Sequence, residues 1–239
     1  MIDFYYAPTP NGWKVAIMLE ETGLAYETRL MDLAAGAQFA PDFMALSPNA
    51  RMPAIFDRAP PLSYGPGPLA VFESAAILLY LAEKTGRFAP SEPRARKQLY
   101  EWLFWQVGTQ GPMAGQLSHF VNYAPGGQDY AHSRYKGETE RALAVLERRL
   151  TGRDYILDGY SIADMLAFPW AFISKPLGIS LEGFPQVAQW RARLKARPAV
   201  RRAIDLHKDR QNRGSRSAAT NRILYNQGAA HILEVPNED

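Results

Sequence analysis

The chain of 239 residues contains no cysteine. That excludes disulfides, thiolate metal sites and a cysteine nucleophile, so any thiol chemistry must use a thiol carried in by a ligand. Histidine is scarce too. His119, His132, His207 and His231 are scattered and match no metal-ligand spacing, so no metal is expected. No apolar run approaches the roughly 20 residues of a membrane helix, and the N-terminus lacks the basic start, apolar segment and cleavage site of an export signal. The expected compartment is the cytoplasm, with no membrane partner. Charge of one sign is also lacking: 27 basic residues face 24 acidic ones. No polyanion-binding surface, and hence no nucleic acid, is expected.

What is present is a 47% hydrophobic chain, enough for one large core or two ordinary ones. "MIDFYYA" reads as a strand, and "GWKVAIMLEETG" as a helix stopped by Gly23. "YETRLMDL" is a second strand, and "AGAQFAPDFMALSPNARM" a loop with a short helix before Pro53. "PAIFD" and "LAVFES" are strands joined by the Pro- and Gly-rich "RAPPLSYGPGP". "SAAILLYLAEKTG" is a helix opened by Ser74. The order β-α-β-α-β-β-α defines an α/β unit over residues 1–86. After the linker "RFAPSEPRA" no convincing strand follows, which predicts an all-α unit over residues 94–206. Residues 207–239, with "RQNRGSRSAATNR", form a polar extension of low periodicity that either docks or stays mobile.

Thr9, Pro10 and Asn11 stand where the first strand gives way to the first helix. Thr9 or Asn11 can cap that helix, satisfying an N–H that has no partner within it. Either can equally bind an anion such as a thiolate beside the helix N-terminus. Position alone favours capping. Ser161, three residues before Asp164, has the spacing of a reciprocal N-cap, and this pair is read as structural.

Three motifs in order carry a family resemblance. "ARMPAIFD" is similar to the cis-proline segment of a thioredoxin-like domain. "VFESAAILLYLAEK" resembles a glutathione-anchoring Glu-Ser turn with its helix, and "YSIADMLAFPW" resembles the capping motif of a helical domain. Together they resemble the cytosolic glutathione S-transferase superfamily, with a thioredoxin-like N-terminal domain and an all-α C-terminal domain. "APTPNGWKV" and "WLFWQVGTQGPMAGQLSHF" are similar to the Nu-class or prion-regulator-like bacterial members, several of which reduce disulfides with glutathione.

The resemblance implies that glutathione is the co-substrate and that Thr9 and Asn11 hold its thiolate. It also implies that Pro53 is cis, with the Met52 backbone pairing to the cysteinyl unit. Without it, a trans proline opening an edge strand is the default. Ser74 and the helix it opens would take the γ-glutamyl carboxylate, and Glu73 the ammonium. A carboxylate between a buried strand and a helix start is also expected to need a partner. Gln38 and Arg51 are expected near the glycyl carboxylate. Lys14 and Arg134 are further candidates, toward a second site; a solvated helix position suits Arg134 about as well. Trp13, Trp102, Phe104 and Trp105 either line an acceptor pocket or pack a core.

The implied activity is that of a glutathione-dependent transferase with disulfide-bond reductase function. A lyase or transferase acting on aromatic thioethers or electrophiles, and a non-catalytic glutathione-binding regulator, stand as alternatives. The partners implied are glutathione, a small-molecule disulfide or electrophile, and a second copy of the chain in a homodimer.

Overall fold

The computed structural model describes residues 1–210, 218–225 and 228–233. The chain divides into two compact units: residues 1–84 with residues 203–239, and residues 85–202.

In the first unit, β1 (Ile2–Tyr6), β2 (Tyr26–Leu30), β3 (Ala54–Asp57) and β4 (Leu69–Phe72) form one sheet in the order β2-β1-β3-β4. β1 runs parallel to β2, and β3 is antiparallel to both β1 and β4. The parallel pair requires a crossover, which α1 (Pro10–Thr22) supplies. α1 starts with proline at its first position and ends at Gly23 with φ 71°, where a side chain would be strained. Its Val15–Leu19 run is fully buried, as are Ile2 and Phe4 of β1 and Ile77, Leu78 and Leu81 of α3 (Ser74–Thr85). The short helix expected before Pro53 is α2 (Pro41–Leu46).

The register gives the sheet two ends with different chemistry. At one end Ile2 pairs with Asp57 and Asp57 with Leu69. The Asp57 carboxylate is fully buried there and accepts from the Tyr80 hydroxyl at 2.6 Å, Lys84 Nζ at 2.7 Å and the Ala59 N–H at 3.0 Å. Burial pushes its pKa up, but these donors outweigh burial and hold it below the ordinary carboxylate value. Asp3 forms ion pairs with Arg29 at 3.1 Å and Arg58 at 2.8 Å. At the other end Tyr5 pairs with Ala54, Ala54 with Phe72, and Tyr6 with Leu30. Residues 7–12, 31–40, 51–53 and 73–76 therefore all flank this second end, here called the upper edge.

The second unit is helical: α4 (Pro93–Trp105), α5 (Gly111–Asn122), α6 (Asp129–Leu150), α7 (Ile162–Phe172) and α8 (Pro185–Ala196), followed by α9 (Pro198–Asp205), which runs on into the first unit. A π-helical turn, Gln106–Gln110, joins α4 to α5, so the helical run expected across residues 96–120 is continuous but wider for one turn. α7 is buried on every side from Ile162 to Ala171. Ser161 and Asp164 cap it reciprocally, and the Asp164 carboxylate also accepts from the Ile156 N–H at 3.0 Å and the Trp190 indole at 2.8 Å. Burial pushes its pKa up to about 6 against the pull of these donors.

Asp164→Ala leaves those donors buried without an acceptor, each costing about 1–3 kcal/mol. We expect chemical denaturation to show a loss of about 3–5 kcal/mol, with Asp164→Asn losing less because it keeps one acceptor oxygen.

Candidate functional site

The upper edge is where the sequence-predicted residues of the first unit meet. β1 ends at Tyr6, and the chain turns tightly through Ala7–Thr9, with the Thr9 N–H donating to the Ala7 carbonyl at 2.8 Å. Thr9 is the N-cap of α1, with extended backbone angles. Its Oγ1 accepts from the Gly12 N–H at 3.4 Å, the outer limit of a hydrogen bond. The same hydroxyl donates toward Met52 Sδ at 4.0 Å, a weak acceptor. Capping uses a lone pair, whereas binding an anion uses the proton. The hydroxyl can exchange the sulfur for a better acceptor and keep its cap.

Pro10 has no N–H, and the N–H groups of Gly12 and Trp13 are taken by the side chain and carbonyl of Thr9. Asn11 N–H is left as the first-turn donor with no carbonyl four residues back inside the helix. The Asn11 side chain is exposed at this turn. Gly12 is required at this turn by space. A Cβ there would lie 2.3 Å from the Ala7 carbonyl oxygen and 2.8 Å from Tyr6 Cε2, so only glycine lets the helix start this close to the strand end. The signal was the "PNG" triplet itself.

The Met52–Pro53 peptide is cis, with Pro53 buried and Met52 half-buried beside Thr9. Across the sheet, α3 opens at Ser74, which is buried. Glu73 before it adopts φ 68°, a conformation uncommon outside glycine, and its carbonyl accepts from the Ile77 N–H at 2.9 Å. The upper edge thus carries two helix N-termini, those of α1 and α3. Glu73 is exposed, which corrects the expectation of a carboxylate trapped at a strand end. β4 is an edge strand of alternating exposure, so a residue at its end reaches water.

Gln38 lies in a 3₁₀ turn, Ala37–Phe39, and is the one buried residue between Met31 and Ala40, at 3% exposure. Its Oε1 has no hydrogen-bond partner. An amide this deep without a partner is costly, and a half-turn of its last torsion presents either a donor or an acceptor. Arg51 is exposed in the loop before Pro53, and its carbonyl accepts from the Ser47 hydroxyl at 2.8 Å.

Lys14 is 3% exposed on α1. Burial lowers its pKa to about 7, with the charge of Glu73 opposing that fall. The lysine thus belongs to the interior behind the two helix starts. A lone charge inside the run "WKVAIML" was the sequence signal. Arg134 belongs to the second unit, on α6, where it is exposed and pairs with Glu138 at 2.9 Å. Of the aromatics, Trp13 is buried in the first unit. In the second, Trp102 and Trp105 are half-buried with ring centroids 5.2 Å apart, and Phe104 is exposed. Among the described residues no cluster of His, Cys, Asp or Glu could hold a metal ion, and no helix is long and apolar enough to cross a membrane.

This arrangement defines a thioredoxin-like unit that gathers two helix N-termini and a buried amide on one sheet edge and supplies no thiol. Residues 2–83 match the glutathione S-transferase N-terminal domain and residues 117–198 the C-terminal domain. The chain belongs to the glutathione S-transferase family. It is 47% identical over 205 residues to the disulfide-bond oxidoreductase YfcG of Escherichia coli K12, covering 85% of this chain and 94% of that protein. A glutathione transferase from Burkholderia graminis, with two glutathione molecules bound per subunit, superposes with a TM-score of 0.81 at 43% identity, covering 89% of each chain. One from Pseudomonas putida, with one glutathione disulfide bound per subunit, gives 0.80 at 40% identity over 86% of this chain and 91% of that one.

The Lys14 shift has a stability consequence with a definite sign. Its folded pKa of about 7 lies below the ordinary 10.5 of an unfolded chain, so between those values the unfolded state binds more protons. Stability therefore falls as pH drops from about 10 to about 7, with a slope of up to about 1.4 kcal/mol per pH unit. We expect urea midpoints to rise from pH 7 to 9.5 and that rise to flatten in Lys14→Met.

Proposed function

We propose that this protein is a glutathione-dependent disulfide reductase whose reacting thiolate is that of bound glutathione, held at the α1 N-terminus by Thr9 and Asn11. The observation that carries the reading is the single upper edge, where two helix N-termini and the orphan amide of Gln38 meet in a chain without cysteine. Ser74 and the first-turn N–H groups of α3 take the γ-glutamyl carboxylate, and Glu73 takes its ammonium. The Met52 backbone pairs with the cysteinyl unit, and Gln38, with Arg51, takes the glycyl carboxylate. Residues 1–86 serve as the glutathione-binding part. The relatives with two glutathiones or one glutathione disulfide bound support disulfide over thioether chemistry.

A thiol of pKa ~8.5 is mostly protonated at neutral pH, and lowering that value by about two units takes roughly 2.7 kcal/mol. Two hydrogen bonds to a charged acceptor, at about 1.5–3 kcal/mol each, and a helix N-terminus at ~0.3–1 meet that requirement without a general base. The thiolate attacks one sulfur of the disulfide, forming a mixed disulfide with glutathione and expelling the other sulfur as a thiolate. A second glutathione thiolate attacks the glutathione sulfur of that mixed disulfide. It releases the remaining substrate thiolate, and the two glutathiones leave as glutathione disulfide.

The protein works as a cytoplasmic homodimer in this reading, and a monomeric mass by sedimentation at micromolar concentration contradicts the dimer. The reaction itself is tested by following glutathione disulfide formation with 2-hydroxyethyl disulfide as substrate. Turnover is expected. Turnover of aromatic thioethers alone returns the thioether reading, and binding without turnover returns the regulator. Thr9→Ala and Asn11→Ala should each raise the pKa of bound glutathione by about one to two units, read from thiolate absorbance against pH. A drop in melting temperature with unchanged thiol titration would make them helix caps alone.

A further inference from the structure

The C-terminal extension returns to the glutathione-facing loops. After α9 the Leu206 carbonyl accepts from the Tyr6 hydroxyl at 3.1 Å, and the His207 ring lies 6.2 Å from that of Tyr6. Tyr6 is the last residue of β1, directly before the Thr9 turn. Further on, α10 (Ala218–Tyr225) packs on the 3₁₀ turn Leu33–Ala35, and Ile223 Cγ2 lies 3.7 Å from where a Cβ on Gly36 would stand.

The loop that α10 covers is otherwise lightly held. The Asp32 carboxylate, exposed to water, caps its first turn through the Ala34 and Ala35 N–H groups at 3.1 Å each. The Met31 N–H donates to the Tyr6 carbonyl at 2.8 Å. Gly36, at φ 82°, is both the end of the first turn and the start of the one that carries Gln38. Gln38 is therefore aimed by a turn with little buried surface of its own, and α10 supplies apolar contact to the turn directly before it.

We propose that Ile223 on α10 is a positioning residue for glutathione, holding the Leu33–Phe39 turns so that the Gln38 amide meets the glycyl end of the tripeptide. This rests on the assignment of Gln38 to that end. The extension is thereby part of the binding site's support, and its effect falls on one end of the ligand.

That specificity makes the test. Affinity is measured by calorimetry for glutathione and for γ-glutamylcysteine, which lacks the glycine, on the full-length protein and on Gln38→Ala, Ile223→Asp and Ile223→Val. We expect Ile223→Asp to weaken glutathione about tenfold, equivalent to about 1.4 kcal/mol, and to leave γ-glutamylcysteine within about twofold. Gln38→Ala should show the same pattern, and Ile223→Val should bind as the unaltered protein does. If Gln38→Ala shows the selective loss and Ile223→Asp does not, the positioning role is overturned while the site assignment stands. If Gln38→Ala shows no selective loss, the assignment of Gln38 falls, and the proposal built on it falls too. Equal weakening of both ligands by Ile223→Asp would mark a general loss of structure and overturn the proposal. Thermal melting without ligand identifies that case.

Discussion

The upper edge depends on one close approach, that of Gly12 to the Ala7 carbonyl. With no Cβ to hold them apart, the first turn of α1 sits against the end of β1 at backbone distance. That places the Thr9 hydroxyl between the Gly12 N–H and the Met52 sulfur, leaves the Asn11 N–H at the helix mouth, and buries Lys14 one turn deeper. A side chain at residue 12 would have to push the helix off the strand and would move every one of these groups together. The turn is a unit whose parts cannot shift independently.

The two ends of the sheet differ in how their polar groups are met. At the lower end each buried or half-buried charge has its counterpart: Asp57 has Tyr80, Lys84 and the Ala59 N–H, and Asp3 has Arg29 and Arg58. At the upper edge stand the first-turn donors of two helices, a buried amide oxygen without a partner, and a residue held at positive φ. Deficits of this kind are tolerated where a ligand completes them. The same sheet thus meets its polar groups with its own side chains at one end and leaves a buried one unmet at the other.

Much of this was legible in the sequence, for identifiable reasons. The strands and helices of the first unit follow from short β-rich runs, a clean helical period and glycine stops, and Ser161 with Asp164 announced the capping of α7. The Thr9 turn could be placed but not decided, because a cap and an anion donor call for the same residue type at the same position. In the structure the hydroxyl oxygen accepts the cap bond while its proton points toward the Met52 sulfur, so the two uses do not compete for the same part of the group. The exposure of Glu73 was not legible, because it depends on β4 lying at the sheet edge, and strand order is not written in local pattern. Lys14, named as a second-site candidate, is buried on α1, and the burial of one charged residue in a helix depends on which face meets the sheet. The return of α10 to the first unit was not legible, since a helix of 8 residues does not name its neighbour in its own sequence.

These features together tie binding to stability. The costs stored at the upper edge are unmade hydrogen bonds, so a ligand that makes them adds its binding energy to the folded state and none to the unfolded one. An apolar filling would close the same deficits only by removing the groups, whereas the lower end keeps its charges and pairs them with its own side chains. In the proposed reading the chain instead keeps donors for an anion, and it lacks a cysteine that could supply that anion from within. Affinity for an incoming thiolate and a modest penalty in its absence are then two readings of one arrangement, and mutations that raise the stability of the empty protein at this edge should do so at the expense of binding.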